Sequence, residues 1–345
     1  MKFYCGDFNG ILEDLKQKIG PTHLTTPREA DAWVVFQDCL GSYRSLFKAA
    51  KELGVAKPSY CVQHGRGSTS DYGPPNSLIS YADKYLCWGK ADYDRMVRLG
   101  YASKTHIVGC PLNSHIRPRV PHKEKVVLFI PVNTGKEEPE NIAVYYELLK
   151  IKYDKAKLKV LSHRAALKDK WGFNDKLLVS FNEIATDFDV AAKLLPWHDK
   201  NLYHGNTVMG YQDSPNNNAL LFNLLRNVDL VVGMDEGTSE IFAMAHDVPV
   251  VICDGFKYRQ FKANGKDFEV IEGYQTGGAV HCTLDTLGAA VDYALAHPEH
   301  LRQERKIAVE AEMGTSYGDA TNNIYQYIRK DIKIISKNTC IDREI

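Results

Sequence analysis

The sequence has no surplus of charge: 43 lysines and arginines balance 43 aspartates and glutamates over 345 residues. That balance excludes the global pull toward nucleic acid or anionic lipid that a strongly basic chain exerts, and leaves only local patches. No apolar run approaches the roughly 18 residues of a spanning helix, so no membrane span is expected. The opening MKFYCGDFNG holds one lysine and no apolar core, so no secretory signal is expected and a cytoplasmic setting is the resulting expectation. There is no Cys-x-x-Cys pair among the eight cysteines Cys5, Cys39, Cys61, Cys87, Cys110, Cys253, Cys282 and Cys340. Cys61, Cys87 and Cys253 sit within apolar runs, which predicts free buried thiols in place of a disulfide framework or zinc site. No Gly-x-Gly-x-x-Gly is present either. The lone turn at Gly6, Asp7 and Gly10 is therefore no dinucleotide fingerprint, and Asp7 is kept only as a candidate lining of a cleft. Asp187-Phe188-Asp189 opens an expected strand instead of following one, the wrong geometry for a metal-holding Asp-x-Asp. No metal is expected. Internal repeats and low-complexity segments are also missing.

What is present is alternation. A length of 345 residues predicts two domains. Strands are expected at 31–38, 58–65, 83–89 and 105–111, with helices at 43–54 and 90–100 between them. Such alternation, with glycine or proline at each switch, predicts a parallel α/β sheet. NSHIRPRVPHKEK (113–125) breaks the pattern with three prolines and a run of cations, and reads as a linker. A fresh set of strands is expected at 125–135, 190–197, 206–213, 228–235 and 248–254. Helices are expected at 217–227, 238–247 and 284–312, the last interrupted near Pro298, and a final one at 321–335. The expected domains are 1–120, 121–320 and a helix and tail at 321–345. The fold class predicted is α/β, two doubly wound Rossmann-like halves facing each other across a cleft.

The second half contains GMDEGTSEIFAMAHDVPVVICD (233–254), a polar knot between two apolar strands. In open α/β sheets ligands bind beyond the carboxyl ends of strands, where helix N-termini offer unpaired N–H groups. Gly237 lets backbone approach an anion, and Thr238 or Ser239 can cap the helix and donate hydroxyls to phosphate oxygens. A plain helix cap uses the same residue types. GTSEIFAMAHDVPVV matches without a gap the donor-binding pattern of GT-B nucleotide-sugar transferases. It is similar both to lipid A disaccharide synthases and to the CDP-glycerol glycerophosphotransferase family. Pro131, the Lys193-Leu-x-Pro196 strand and Gly318-Asp319-Ala320 match that family's order, and the resemblance covers roughly residues 58–325. It implies a metal-independent glycosyltransferase with no cofactor, using a UDP- or CDP-linked donor as substrate. The implied donor site takes in Gly237, Thr238, Ser239 and Lys193. The chain departs from the pattern twice. Phe242 stands where relatives carry a ribose-holding acid, a role left to Glu240 or Asp235, and Leu195 replaces a histidine, the nearest being His198.

QHGRGSTSDYGPP (63–75) is the second constellation. His64 comes just after a strand end, on a Gly-rich loop whose Gly65, Arg66 and Ser68 suit an acceptor site. A histidine there can take a proton from an acceptor hydroxyl. The resemblance agrees, since the glycerophosphotransferases carry His-Gly at this strand end, read as the catalytic base. GCPLN (109–113) resembles the turn closing the first domain, with Asn113 a candidate cleft contact. Lys150–Lys170 is lysine-rich and suits either a solvated helical face or a polyanionic or glycan acceptor. Trp171 and Trp197 nearby could stack on a base or sugar or fill a core.

The leading expectation is transfer of a sugar or glycerophosphate from a nucleotide donor to a hydroxyl acceptor, such as a cell-surface glycan or a teichoic- or capsule-like polymer. Three alternatives stand beside it. A transferase acting on a hydroxylated DNA base would need nucleic-acid binding. A UDP-sugar 2-epimerase would act without an acceptor. A non-catalytic nucleotide- or glycan-binding protein would keep binding without His64.

Overall fold

Runs such as VVLFI, LVVG and VVIC are apolar at every position, the pattern of parallel strands covered on both faces. The computed structural model builds strands from them and describes residues 1–6, 12–36, 41–55, 57–63, 65, 81–98, 100–120, 125–130, 156–162, 189–193, 207–209, 217–233, 236–253, 260–263, 266–269 and 276–341. The chain opens with β1 (Phe3–Gly6), α1 (Glu13–Ile19), β2 (Ala32–Val35), α2 (Gly41–Glu52) and β3 (Ser59–Val62). Next come β4 (Lys84–Cys87), α3 (Lys90–Arg98), β5 (Thr105–Ile107), β6 (Lys125–Ile130), β7 (Ala156–Ser162), β8 (Asp189–Lys193) and β9 (Thr207–Met209). After these lie α4 (Asn217–Arg226), β10 (Leu230–Gly233), α5 (Thr238–Ala245), β11 (Val250–Cys253) and a two-stranded pair, β12 (Gln260–Ala263) with β13 (Lys266–Glu269). The chain ends with β14 (Val280–Cys282), α6 (Leu287–Ala296), α7 (Arg302–Met313) and α8 (Ala320–Ile341).

Two units divide the chain. The first takes Met1–Ser114, Phe261–Val270 and Glu310–Ile345, and the second takes His115–Gln260 and Ile271–Val309. In the first unit five parallel strands lie in the order β1-β2-β3-β4-β5. Its C-terminal pieces are built into that sheet's surroundings. α8 packs beside α1, and the Tyr60 hydroxyl donates to Asp331 at 2.9 Å. The turn after β4 presses so close to the end of α7 that a Cβ on Gly89 would stand 2.2 Å from the Ala311 carbonyl oxygen. Beside it a buried ionic cluster forms: Arg95 meets Glu312 at 2.9 Å and Asp92 at 3.3 Å, and the Tyr85 hydroxyl donates to Asp92 at 2.8 Å.

The second unit holds seven parallel strands in the order β14-β11-β10-β6-β7-β8-β9. The chain runs outward from β6 through β9, returns to the other side of β6 as β10, and continues outward through β11 and β14. β6 and β10 therefore flank the point where the winding reverses, the position at which doubly wound sheets open a crevice at their carboxyl edge. Buried Asp229 fixes the opposite end of this pair, accepting from the Val126 N–H and from Arg119, each at 3.1 Å. Residues 116–120 are strapped onto the helices behind the sheet. The Arg119 N–H donates to the His246 carbonyl and the Val120 N–H to the Arg226 carbonyl, both at 2.8 Å. His246 Nδ1–H donates to the Arg117 carbonyl.

The lysine-rich segment departs from expectation. A helical face was one reading of Lys150–Lys170, yet residues Ala156–Ser162 form β7, inside the sheet between β6 and β8. Alternation of lysine with Ala156, Leu158 and Val160 has period two, which suits a strand. The rest of that segment, with Trp171 and Trp197, lies outside the described residues. Among the described residues no helix is long and apolar enough to cross a membrane.

Candidate functional site

At the winding reversal between β6 and β10, the chain leaves the carboxyl end of β10 and enters α5. Gly237 is the N-cap of α5, with φ −84° and ψ −168°, and no side chain caps the helix. Thr238 is thus the first helical residue and Ser239 the second, so neither takes the capping role expected of them. A glycine cap keeps its place at a cost of only a few tenths of a kcal/mol against serine or threonine, and it brings no side chain of its own to the helix start.

Glu240, in the first turn, curls back over this point, and a Cβ on Gly237 would lie 3.0 Å from its Oε2. Its carboxylate is buried, 5 % exposed, where the helix dipole favours negative charge. Phe242 points elsewhere. It is 3 % exposed and its ring meets Phe222 of α4 edge-on at 4.9 Å. The position at which the resemblance led to the expectation of a ribose-holding acid is therefore core in this chain.

A second carboxylate, Glu236, immediately precedes the cap and is 5 % exposed. Its two oxygens are spoken for: Oε2 accepts the Thr276 N–H at 2.8 Å, and Oε1 meets Nε2 of His281 at 2.9 Å. His281 lies on β14, level with Ile252 of β11, which is level in turn with Gly233 of β10. The sheet thus brings to one carboxyl edge residues about 45 apart in sequence. Thr276 also serves the turn after it, since its Oγ1 accepts the Gly278 N–H at 3.2 Å. Gly278 has little spare room: a Cβ there would stand 3.0 Å from both Arg305 Cα and Met244 Sδ.

Gly237, Thr238, Ser239 and Glu240 follow one another through the cap and first turn of α5. Lys193 ends β8 at the same edge, but β6 and β7 intervene, so its strand lies about 14 Å from β10 at the usual spacing. Asp235 and His198 lie outside the described residues. In the first unit Gly65 is buried and its carbonyl accepts from Gln63 Nε2 at 3.1 Å, while Gln63 Oε1 accepts the Trp88 N–H at 2.7 Å. Buried Gln63 thus ties Gly65 to the start of the turn after β4. His64, Arg66 and Ser68, like Asp7, lie outside the described residues. Asn113, a candidate cleft contact, donates from Nδ2 to the Met313 carbonyl at 3.3 Å. Among the described residues no cluster of histidine, cysteine, aspartate or glutamate could hold a metal ion.

Sequence reasoning missed Glu236, Thr276, His281 and Gln63. The first three meet only because β14 pairs with β11, which no local pattern announces. Gln63 was visible as the last residue of an apolar run, a buried polar residue that must find partners.

No protein-family model matches the sequence, and no curated protein matches it. Solved structures do match its fold. The wall teichoic acid polymerase TagF, solved also after soaking with CDPG, is 14 % identical with a TM-score of 0.53, over 96 % of this chain and 89 % of its own. The S. aureus MnaA–UDP structure is 15 % identical with a TM-score of 0.52, over 94 % of this chain and 79 % of its own. A Listeria monocytogenes protein described as a UDP-N-acetylglucosamine 2-epimerase is 14 % identical with a TM-score of 0.53, over 94 % and 78 %. These likenesses define the class of fold: α/β of the GT-B type, built from two Rossmann-like units.

Proposed function

We propose that the chain is a GT-B transferase that moves a sugar or glycerophosphate from a nucleoside-diphosphate donor to a hydroxyl acceptor. The observation that carries this reading is the uncapped Gly237 start of α5 at the winding reversal of the second unit. The diphosphate would lie against the first N–H groups of α5 and the hydroxyls of Thr238 and Ser239. Helix dipole and hydroxyls would stabilise the departing nucleoside phosphate, with no step that calls for a metal. Glu240, held over Gly237, would take the hydroxyls of the ribose, since a carboxylate accepts two donors at once. His64, next in sequence to Gln63, would accept the proton of the attacking hydroxyl. A teichoic-like or other glycan polymer is the acceptor class favoured by the likeness to TagF. Lys193 and the lysine-rich segment would contribute positive charge toward it. A hydroxylated DNA base is the second acceptor class, and it predicts DNA binding that weakens steeply with salt.

The test is a thermal-shift screen with UDP, CDP, GDP and their sugar and glycerol conjugates, on wild type and on Gly237→Asp. A ligand at a hundred times its Kd stabilises by about 2.7 kcal/mol, so at least one should raise the melting temperature clearly. The new carboxylate would stand beside Glu240 and in the seat of the diphosphate. Two charges about 4 Å apart at an effective dielectric of 20 repel by ~4 kcal/mol, which should abolish the shift. No response in the wild type, or an equal response in the variant, would overturn this site.

A further inference from the structure

We infer that Glu236 and His281 are positioning residues of the donor site, a role that rests on the nucleotide-donor reading above. Neither needs to touch the donor. Glu236 bridges three segments at one sheet edge: the turn entering α5, the Thr276–Ala279 turn through the Thr276 N–H, and β14 through His281. Together with the Thr276–Gly278 bond and the tight seat of Gly278 against Met244 and Arg305, it locks that turn beside the helix start. The locked turn forms a second wall next to the diphosphate seat, on the side of β11 and β14.

The chemistry of the bridge requires a carboxylate. The Thr276 N–H can only donate, and His281 Nε2 faces an acceptor-only group, so it must carry its proton whether the ring is neutral or cationic. The bridge is therefore intact in both states of the ring. An amide at position 236 behaves differently. Its oxygen can accept from Thr276 and its nitrogen can donate to Nε2, but only while His281 is neutral and protonated on Nδ1. Once the ring is doubly protonated, two donors face each other and one bond is lost. The other groups around His281 do not mimic this. β11 brings Val250–Cys253, the buried face of α6 is Leu287, Val291 and Ala294, and Asp285 and Asp292 are exposed. Glu240 at the start of α5 and Lys193 at the end of β8 are further charged groups at this edge.

The experiment measures Kd for CDP and UDP by calorimetry from pH 8 to 5.5 on wild type, Glu236→Gln, His281→Gln and the double variant Glu236→Gln/His281→Ala. The nucleotide's own protonation cancels in the ratio of variant to wild type. Glu236→Gln should bind within a few fold of wild type at pH 8 and lose ground relative to it toward pH 5.5, by about tenfold once the His281 ring is doubly protonated. His281→Gln, whose amide still donates to Glu236, should stay near wild type at every pH. The double variant should be weak throughout and lose the pH-dependent gap. A merely structural pair predicts a ratio flat in pH, and that result would overturn the inference. Should Glu236→Gln fail to fold, His281→Ala against His281→Gln carries the test, and equal affinities for the two would overturn it. If wild type binds neither nucleotide, it is the donor reading that fails.

Discussion

Replacing Glu312 by alanine should unsettle the first unit more than any single hydrogen bond would suggest. Arg95 is 4 % exposed, Asp92 0 % and Glu312 5 %, so the cation sits out of water between two carboxylates. Glu312 holds it by two contacts, Nη2 to Oε1 at 2.9 Å and Nη1 to Oε2 at 3.4 Å. Removing one partner of a buried pair costs about 3–5 kcal/mol, because the charge left behind keeps its desolvation cost without full compensation. In a unit of this size each kcal/mol moves Tm by about 2–4 °C, giving a fall of roughly 6–20 °C. Glu312→Gln keeps an acceptor for the guanidinium and should lose less. In the double variant Arg95→Ala/Glu312→Ala the losses should sum to less than their parts, since neither site then strands the other's charge. Urea unfolding monitored by circular dichroism gives all three values. A Glu312→Ala midpoint within about 0.5 kcal/mol of wild type would mean that the cluster is solvated, and would refute the reasoning.

Other parts of the fold yield two further expected outcomes. Phe242→Glu, which places an acid at this position, should destabilise by about 3 kcal/mol or more, because it removes a buried ring from Phe222 and buries a charge. It should not improve nucleotide affinity, and tighter binding would show that the ring is not locked in the core. Burial holds the His246 ring below the ordinary imidazole value, outweighing the Arg117 carbonyl bond, which favours the charged form. The unfolded chain therefore takes up that proton first, so this contribution is complete above about pH 6.5 and is lost as pH falls below it. His246→Asn keeps an N–H for the Arg117 carbonyl and removes the titration. Its urea midpoint should fall less between pH 7.5 and 5.5 than that of wild type, and an identical fall would refute the assignment.

Local pattern carried far in this sequence. The strands β2 to β6, β10 and β11, and the helices between them, stand where apolar runs and glycine stops put them, because a strand covered on both faces has no choice but to be apolar throughout. The stretch after β10 was read as a ligand seat on a related ground, that polar residues between two such strands are out of keeping with an apolar core. Legibility failed where composition and period disagreed. In β7 the lysine count argued for a solvated helix, while the alternation with Ala156, Leu158 and Val160 carried the true signal. It failed again where partners are distant. Phe242 could be seen to replace an acid, yet only its packing on Phe222 tells where its side chain went. Glu236 lay in plain sight beside Gly237, but its role depends on Thr276 and His281, and these arrive through the order of strands in the sheet.

Because the first unit is made of Met1–Ser114 together with Phe261–Val270 and Glu310–Ile345, the chain cannot complete it in the order in which it is synthesised. Its five-stranded sheet emerges early, but Glu312 and α8 arrive about 200 residues later, which at 5–20 residues per second is roughly 10–40 s. Through that interval Arg95 lacks its main carboxylate and Tyr60 lacks Asp331. The second unit, by contrast, is finished first and from inside the chain. A ribosome stalled near position 305 would thus have synthesised nearly all of the second unit while the first unit still lacks its closing helix. That nascent state is where exposure to proteases and chaperones should be greatest.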